Sequence, residues 1–157
     1  MKQLKDDGLA KAIGVSAHSP KLLARAVDTG DFDVAQFTLN FATGFLDATR
    51  ELIETCRKKN VSLIAIKTML KGKVFSARKT SYPAYMCSGN RFVLKLDTPA
   101  SPYQCYNYVL DLGAEAVVFG VTQVEELAEN VQSFAANRDK KDYGPIVSQF
   151  QKAQYVT

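Results

Sequence analysis

Short apolar runs alternate along the chain with segments whose apolar residues recur at helical spacing. The runs cover residues 12–16, 34–39, 63–67 and 116–120, and a helix-like segment follows each of them. This alternation is typical of parallel strands joined by crossover helices. A closed barrel of eight such units takes ~250 residues, whereas this chain has 157. The pattern therefore predicts an α/β fold that is half of a (β/α)8 TIM barrel, with four parallel βα units.

Capping signals bound the predicted helices. Residues 1–7 read as the last turns of a helix capped by Gly8, as expected of a truncated barrel. Ser-Pro pairs at 19–20 and 101–102 predict helix starts, because serine accepts from free amides and proline lacks one of them. Thr122 and Glu125 have the spacing of a capping box for a fourth helix that runs through Leu127 and Val131.

Two segments lie outside this alternation. Some thirty residues after the third predicted strand have an irregular sequence, and connections of that length are usually functional or disordered. The aromatic rings in this connection either cover a ligand or fix the connection to the barrel. Residues 138–157 form a charged and aromatic tail of the single domain 1–157, which either packs on the helices or frays. The rings and apolar residues concerned are Tyr82, Tyr85 and Phe92 in the loop and Tyr143, Ile146, Phe150 and Tyr155 in the tail.

Composition narrows the function classes. The content of 46% hydrophobic and 23% charged residues is typical of a globular protein, and the net charge of +4 does not indicate a nucleic-acid surface. No apolar run approaches the ~20 residues that cross a bilayer, and no signal peptide follows Met1. We therefore expect a cytoplasmic protein without a membrane partner. Three cysteines without CxxC spacing predict reduced thiols, and a single histidine argues against a zinc site.

Polar residues near the carboxyl ends of the strands mark a candidate site. In parallel strand–helix folds these ends and the loops after them carry the ligand-binding residues. Gln36 interrupts an apolar run, so its amide either bonds to backbone in the core or meets a cofactor amide. His18 follows the first strand, either as a loop histidine beside a helix cap or as a group that touches a ligand.

Four motifs in order resemble the C-terminal half of an aldo-keto reductase. They are Lys-Ala-Ile-Gly-Val-Ser at 11–16, Phe-Asp-Val-Ala-Gln at 32–36 with Asn40, Leu-Ile-Ala-Ile-Lys at 63–67 and Glu-Leu-Ala-Glu-Asn at 126–130. The resemblance extends to about residue 136 and is nearest to the bacterial predicted-oxidoreductase branch. It implies half of a barrel that binds a nicotinamide cofactor without a Rossmann domain.

The resemblance also implies roles for the residues that match the family's cofactor site. Ser16 and Gln36 match the residues that hydrogen-bond the nicotinamide carboxamide, and Asn40 matches a residue that lines the site beside them. Ile66 stands where many members place an aromatic ring against the nicotinamide, so it would pack without stacking.

The other matches concern the remainder of the dinucleotide. Met69, Leu70 and Gly72 match the loop that runs along the pyrophosphate, where backbone N–H groups meet negative charge. Glu129 and Asn130 match the pair that contacts adenine.

Several positions depart from the family pattern. Ala17 replaces a common asparagine, and the sequence Gly-Val-Thr-Gln at 120–123 lacks the Lys-Ser that grips the 2′-phosphate of NADP. Glu126 lies near the place of a phosphate-binding arginine, and its carboxylate would repel phosphate. We therefore expect NAD or NADP, with a lean toward NAD, bound weakly or not at all by this half alone. Lys67 fits a non-covalent lysine better than a Schiff-base lysine.

The catalytic Asp, Tyr, Lys and His of the family lie in its N-terminal half, which this sequence does not match. The resemblance thus implies no catalytic residue here, and the chain alone should not reduce carbonyls. The first hypothesis is an oxidoreductase half-barrel that carries the cofactor side of the site and needs a complementary half-barrel or a second copy to act on a small carbonyl substrate. The alternative is a non-catalytic half-barrel that binds a nucleotide or a protein partner.

Overall fold

The structure, a computed structural model, describes residues 1–153 of the chain. Six strands and six helices follow one another within these residues, together with two short 3₁₀ helices, Leu70–Phe75 and Ala84–Met86. The strands are β1 Gly14–Ala17, β2 Val34–Thr38, β3 Ser62–Ile66, β4 Thr80–Tyr82, β5 Phe92–Leu94 and β6 Ala116–Val118. The helices are α1 Lys2–Asp6, α2 Pro20–Asp28, α3 Asp47–Lys59, α4 Pro102–Asp111, α5 Val124–Asn137 and α6 Gly144–Ala153.

The predicted parallel sheet is confirmed. It has the order β1-β2-β3-β6, and all its neighbouring strands run parallel. Helices connect successive strands, as the right-handed crossover of a βα unit requires. The architecture is that of a partial TIM barrel, and β1 and β6 are the edge strands of the sheet.

The two faces of this sheet differ in burial. Ala35, Phe37, Leu63 and Ala65 are almost fully buried, and they alternate along β2 and β3 with half-buried residues. Because successive side chains in a strand point to opposite faces, one face packs on the helices while the other stays open. We call the second one the open face; the residues that the register places on it are Gly14, Ser16, Val34, Gln36, Thr38, Ser62, Ile64, Ile66, Ala116 and Val118.

Most of the predicted helix boundaries are confirmed. Ser19 Oγ accepts a hydrogen bond from the Leu22 amide at 3.3 Å, and α2 begins at Pro20. Helix α3 ends at Lys59, and Asn60 caps it in a left-handed conformation (φ 54°).

The capping box expected at Thr122 and Glu125 is wrong. Helix α5 begins one residue later, with Gln123 as its N-cap, so the acidic residue in the reciprocal position is Glu126. The Glu126 carboxylate accepts from the Thr122 amide at 2.7 Å. A reciprocal pair of the capping-box type occurs instead at α4, where Gln104 Oε1 accepts from the Ser101 amide at 2.8 Å.

The long connection after β3 is more ordered than its sequence indicates. It contains the antiparallel hairpin β4–β5, in which Tyr82 pairs with Phe92. Both rings are fully buried and pack edge-on against Phe150 of α6, at centroid distances of 5.1 and 5.8 Å. The rings therefore pin the loop, and Ile146 and Phe150 dock the tail on it. Tyr155 lies outside the described residues.

All three cysteines are buried and free. Loss of hydration raises the pKa of Cys56 to about 11 and that of Cys87 to about 12, and it also raises the pKa of Cys105. No helix within residues 1–153 is long and apolar enough to cross a membrane.

Replacing Phe150 with alanine tests the docking of α6. The ring is fully buried among Tyr82, Phe92 and Phe41, and removing such a ring costs ~3–5 kcal/mol of unfolding free energy. Urea denaturation measures the loss. The exposed Lys152→Ala on the same helix is the control, expected within ~0.5 kcal/mol of the unchanged chain. A loss in Phe150→Ala no larger than that of the control would contradict the docking.

The buried thiols predict a loss of stability at alkaline pH. Their pKa values are raised on folding, so the folded state holds these protons more tightly than the unfolded state does. This contribution is complete below pH 9, the ordinary thiol value, and falls as the pH rises toward 11 to 12. Denaturation at pH 7.5 and at pH 10 should show the decline, and Cys87→Ala should make it shallower. An unfolding free energy that does not change over this range would refute the assignment.

Candidate functional site

A cleft of about 970 Å³ opens at the carboxyl ends of β3 and β6. Its walls are the loop after β3, the start of α4, the loop after β6 and the first turns of α5. The carboxyl edge of a parallel sheet is where such folds place their ligands. Of the residues predicted for the site, those that line this cleft are Ile66, Met69, Gly72, Glu129 and Asn130.

Ser16 and Gln36 lie side by side in the register of β1 and β2. Ser16 is exposed and Gln36 is half-buried, and both belong to the open face. Ile66 lies on the same face of β3, one step closer to the carboxyl edge than the strand partner of Gln36, Ile64. The structure therefore places a hydroxyl and an amide next to each other on the open face, although neither residue lines the cleft.

Asn40 and Leu70 hold other positions. Asn40 is 1% exposed, and its Nδ2 donates to the carbonyls of Lys67 at 3.2 Å and Met86 at 2.9 Å. Its Oδ1 accepts from the Ala42 amide at 2.9 Å. Leu70 is fully buried in the core. Asn40 thus supports the loop after β3 through its backbone, and Leu70 anchors the same loop in the core.

The loop after β3 has an unusual backbone. Lys67, Leu70 and Lys71 have φ values of 57°, 50° and 57°, and Gly72 follows with 73°. Left-handed conformations are uncommon for residues with a side chain, and they cluster where the surrounding structure imposes them. The Gly72 amide donates to the Met69 carbonyl at 2.8 Å, which closes a tight turn at the wall of the cleft.

The cleft has walls of opposite charge. Lys67 and Lys71 lie on the side of β3, whereas Glu126 and Glu129 lie on α5. Hydrogen bonds from the Thr122 amide and hydroxyl lower the pKa of Glu126 below its ordinary value. Glu126 therefore stays ionised at neutral and mildly acidic pH, and it keeps this end of the cleft negative.

Sequence reasoning did not foresee the contact between His18 and Lys67. Lys67 Nζ lies 2.6 Å from His18 Nε2 and donates to the Tyr85 carbonyl at 3.3 Å. Lys67 and Lys71 both hold their ammonium groups over the Tyr85 ring, 5.4 and 5.2 Å from its centroid. His18 and Lys67 could be chosen as candidates from the sequence because they follow the ends of β1 and β3. No local pattern connects either residue with Tyr85.

Comparisons with known proteins concern the family and the fold of the chain. A family model described as the aldo/keto reductase family matches residues 1–149. The structure also superposes on an aldo-keto reductase from Bacillus halodurans, in its holo and apo forms, with a TM-score of 0.67 and 16% identity in each case. The match covers 99% of this chain but 54% and 55% of those chains, so this chain spans about half of their length. At this identity the structural likeness concerns the fold. No curated protein matches.

Asn40→Ala tests how the site is supported. The substitution leaves the carbonyls of Lys67 and Met86 and the Ala42 amide without this partner, and a buried group left unpaired costs ~1–3 kcal/mol. Thermal unfolding should show a clear destabilisation. Asn90→Ala, which removes one longer bond of 3.3 Å to the Cys87 carbonyl, is the control and should cost less. Equal stability of the Asn40→Ala variant and the unchanged chain would contradict a supporting role.

Proposed function

Because the chain belongs to the aldo/keto reductase family, we propose that it carries the cofactor side of an NAD(P)-dependent carbonyl-reducing site. The observation that carries this proposal is the pairing of Ser16 with Gln36 on the open face of the sheet whose carboxyl edge forms the cleft. The hydroxyl and the amide can both donate and accept, as a carboxamide partner must. The half-burial of Gln36 on the open face fits such a ligand.

The nicotinamide ring, when bound, supplies or accepts the hydride of the reduction. Gln36 and Ser16 would hold its carboxamide and thereby orient the ring. Ile66 would pack on the ring, since it lies on the same face and lines the cleft. These residues position the cofactor, and they include no proton donor suited to the carbonyl oxygen.

The rest of the dinucleotide would follow the cleft from β3 to α5. The left-handed turn at Met69–Gly72 favours a pyrophosphate. Glu129 and Asn130 on α5 would meet the adenine. The ionised Glu126 lies on the same wall and disfavours a 2′-phosphate, so the proposed preference is for NAD.

Carbonyl reduction by this site requires a second half-barrel in our proposal. Within the described residues, the register places no tyrosine on the open face, whereas the family uses a tyrosine as its general acid. The edges β1 and β6 have no strand partner on their outer sides within the described residues. A complementary half-barrel, or a second copy of this one, would pair with these edges and face the cofactor.

A partner-binding role without catalysis is the second candidate. Exposed apolar residues occur along β6 and α5, which supports a surface that another chain covers. These residues are Val118, Val121, Val124, Leu127 and Val131, with exposed fractions of 54%, 39%, 78%, 44% and 56%.

Gln36→Met tests the cofactor assignment while it keeps the length of the side chain. An unmade hydrogen bond in a buried site costs ~1–3 kcal/mol, so the affinity for NADH should fall about tenfold. Titration calorimetry with NADH and NADPH measures this. Val34→Ala is the matched control, because Val34 shares the strand and the open face but lies at the amino end. It should leave the affinity unchanged.

Three results would decide against parts of this proposal. Equal NADH affinity of the Gln36→Met variant and the unchanged chain would remove Gln36 from the site. A clear preference for NADPH would overturn the role given to Glu126. Oxidation of NADH with small aldehydes by the chain alone, on the order of one turnover per second as in ordinary enzymes, would refute the need for a second half-barrel.

A further inference from the structure

A cluster of basic groups lies at the carboxyl edge of the open face, next to the proposed nicotinamide position. It consists of His18, Lys67 and Lys71 around Tyr85. An ammonium group can only donate, so the 2.6 Å contact requires His18 Nε2 to accept from Lys67 Nζ.

The backbone directs Lys67 into this cluster. Strand alternation would turn a residue after Ile66 toward the helices, away from the open face. The left-handed conformation of Lys67 (φ 57°) breaks the alternation, and its Nζ reaches His18 beyond the end of β1. A strained conformation at this position is consistent with a functional placement of the side chain.

Asn40 holds the two sides of the cluster together. Its buried Nδ2 donates to the carbonyl of Lys67 and to that of Met86, the residue after Tyr85. The hydrogen bonds of Asn40 therefore fix the backbone of Lys67 relative to the backbone next to Tyr85, and this helps to position the Lys67 ammonium group over the ring.

Residues 1–153 do not neutralise the positive charge of the cluster. Among residues 1–153, no carboxylate forms an ion pair with Lys67 or Lys71. Lys67 uses two of its three donors, on His18 and on the Tyr85 carbonyl, so one N–H is left for a ligand. A nearby anion would gain a charge-assisted hydrogen bond and the attraction of a second ammonium group.

We propose that this cluster binds the anionic end group, a carboxylate or a phosphate, of the carbonyl substrate. The proposal rests on the function given above for Ser16 and Gln36. His18 lies two residues beyond Ser16, so the cluster is farther along the chain direction of β1 than the carboxamide position. A substrate would enter from that side, with its charged end on Lys67 and Lys71 and its carbonyl toward the nicotinamide.

His18 provides a direct readout, because it is the only histidine in the chain. Its imidazole signals can be followed by NMR while the 157-residue chain is titrated with inorganic phosphate and, separately, with acetate. Ionic strength is held constant with chloride. We expect a saturable shift with half-saturation on the order of 1–10 mM, the weak binding of a small fragment.

Three variants separate the groups. Lys67→Met should weaken the anion-dependent shift at least tenfold, and Lys71→Met should weaken it less. Lys2→Met removes the same charge from a lysine that pairs with Asp31 near the amino end of β2, so it should change nothing. Gln36→Met should retain anion binding while it loses NADH affinity. The response to acetate compared with that to phosphate identifies the preferred end group.

The same titrations can overturn the proposal. A shift that does not saturate, or that persists in Lys67→Met, would mean adventitious ion binding only. Displacement of the bound anion by NADH in a competitive manner would assign the cluster to the cofactor and refute its assignment to the substrate. Absence of NADH binding by the unchanged chain, with saturable phosphate binding that Lys67→Met weakens, would refute the proposed function but leave the anion site in place.

Discussion

The side chain of Asn40 joins three segments at the carboxyl edge of the sheet. Its amide holds the carbonyls of Lys67 and Met86, and its oxygen accepts from Ala42. A buried amide with all these partners is stable only when the segments keep their relative positions. The turn that lines the cleft and the loop that carries Tyr85 both depend on this arrangement. Asn40, which the family pattern places beside the cofactor, thus acts here through the backbone that surrounds the site.

The two faces of the sheet divide the molecule into structural and functional parts. Phe37, Leu63 and their neighbours bury one face under the helices, and that burial stabilises the half-barrel. The open face carries Ser16 and Gln36, and its edge strands lack partners within residues 1–153. In an eight-stranded barrel the same face would be the interior. The open face and its edge strands are therefore the features on which the proposed association with a second half rests.

The two walls of the cleft differ in charge. Lysines lie on the wall near β3, and the ionised Glu126 lies on the wall formed by α5. A ligand with a central pyrophosphate and an uncharged adenosine end would match this distribution better than one with a further phosphate at the adenosine. The lysines of the wall near β3, Lys67 and Lys71, are the same ones that lie over the Tyr85 ring, and Lys67 also contacts His18.

Local patterns in the sequence determined most of the fold. The apolar runs mark the strands because their residues are buried against the helices, and the Ser-Pro pairs and Asn60 mark helix ends through interactions within a few residues. The predicted cap of α5 differs by one residue, because the helix begins after Gln123 and the carboxylate that Thr122 contacts is therefore Glu126. The sequence did not predict the hairpin β4–β5, because its strands are short and pack against Phe150, which is distant in sequence. Only the tertiary structure decided the contacts of Lys67 with His18 and with Tyr85, because these residues are separated in sequence by 49 and 18 positions. The contacts also require a left-handed backbone conformation at Lys67, which no side-chain pattern encodes.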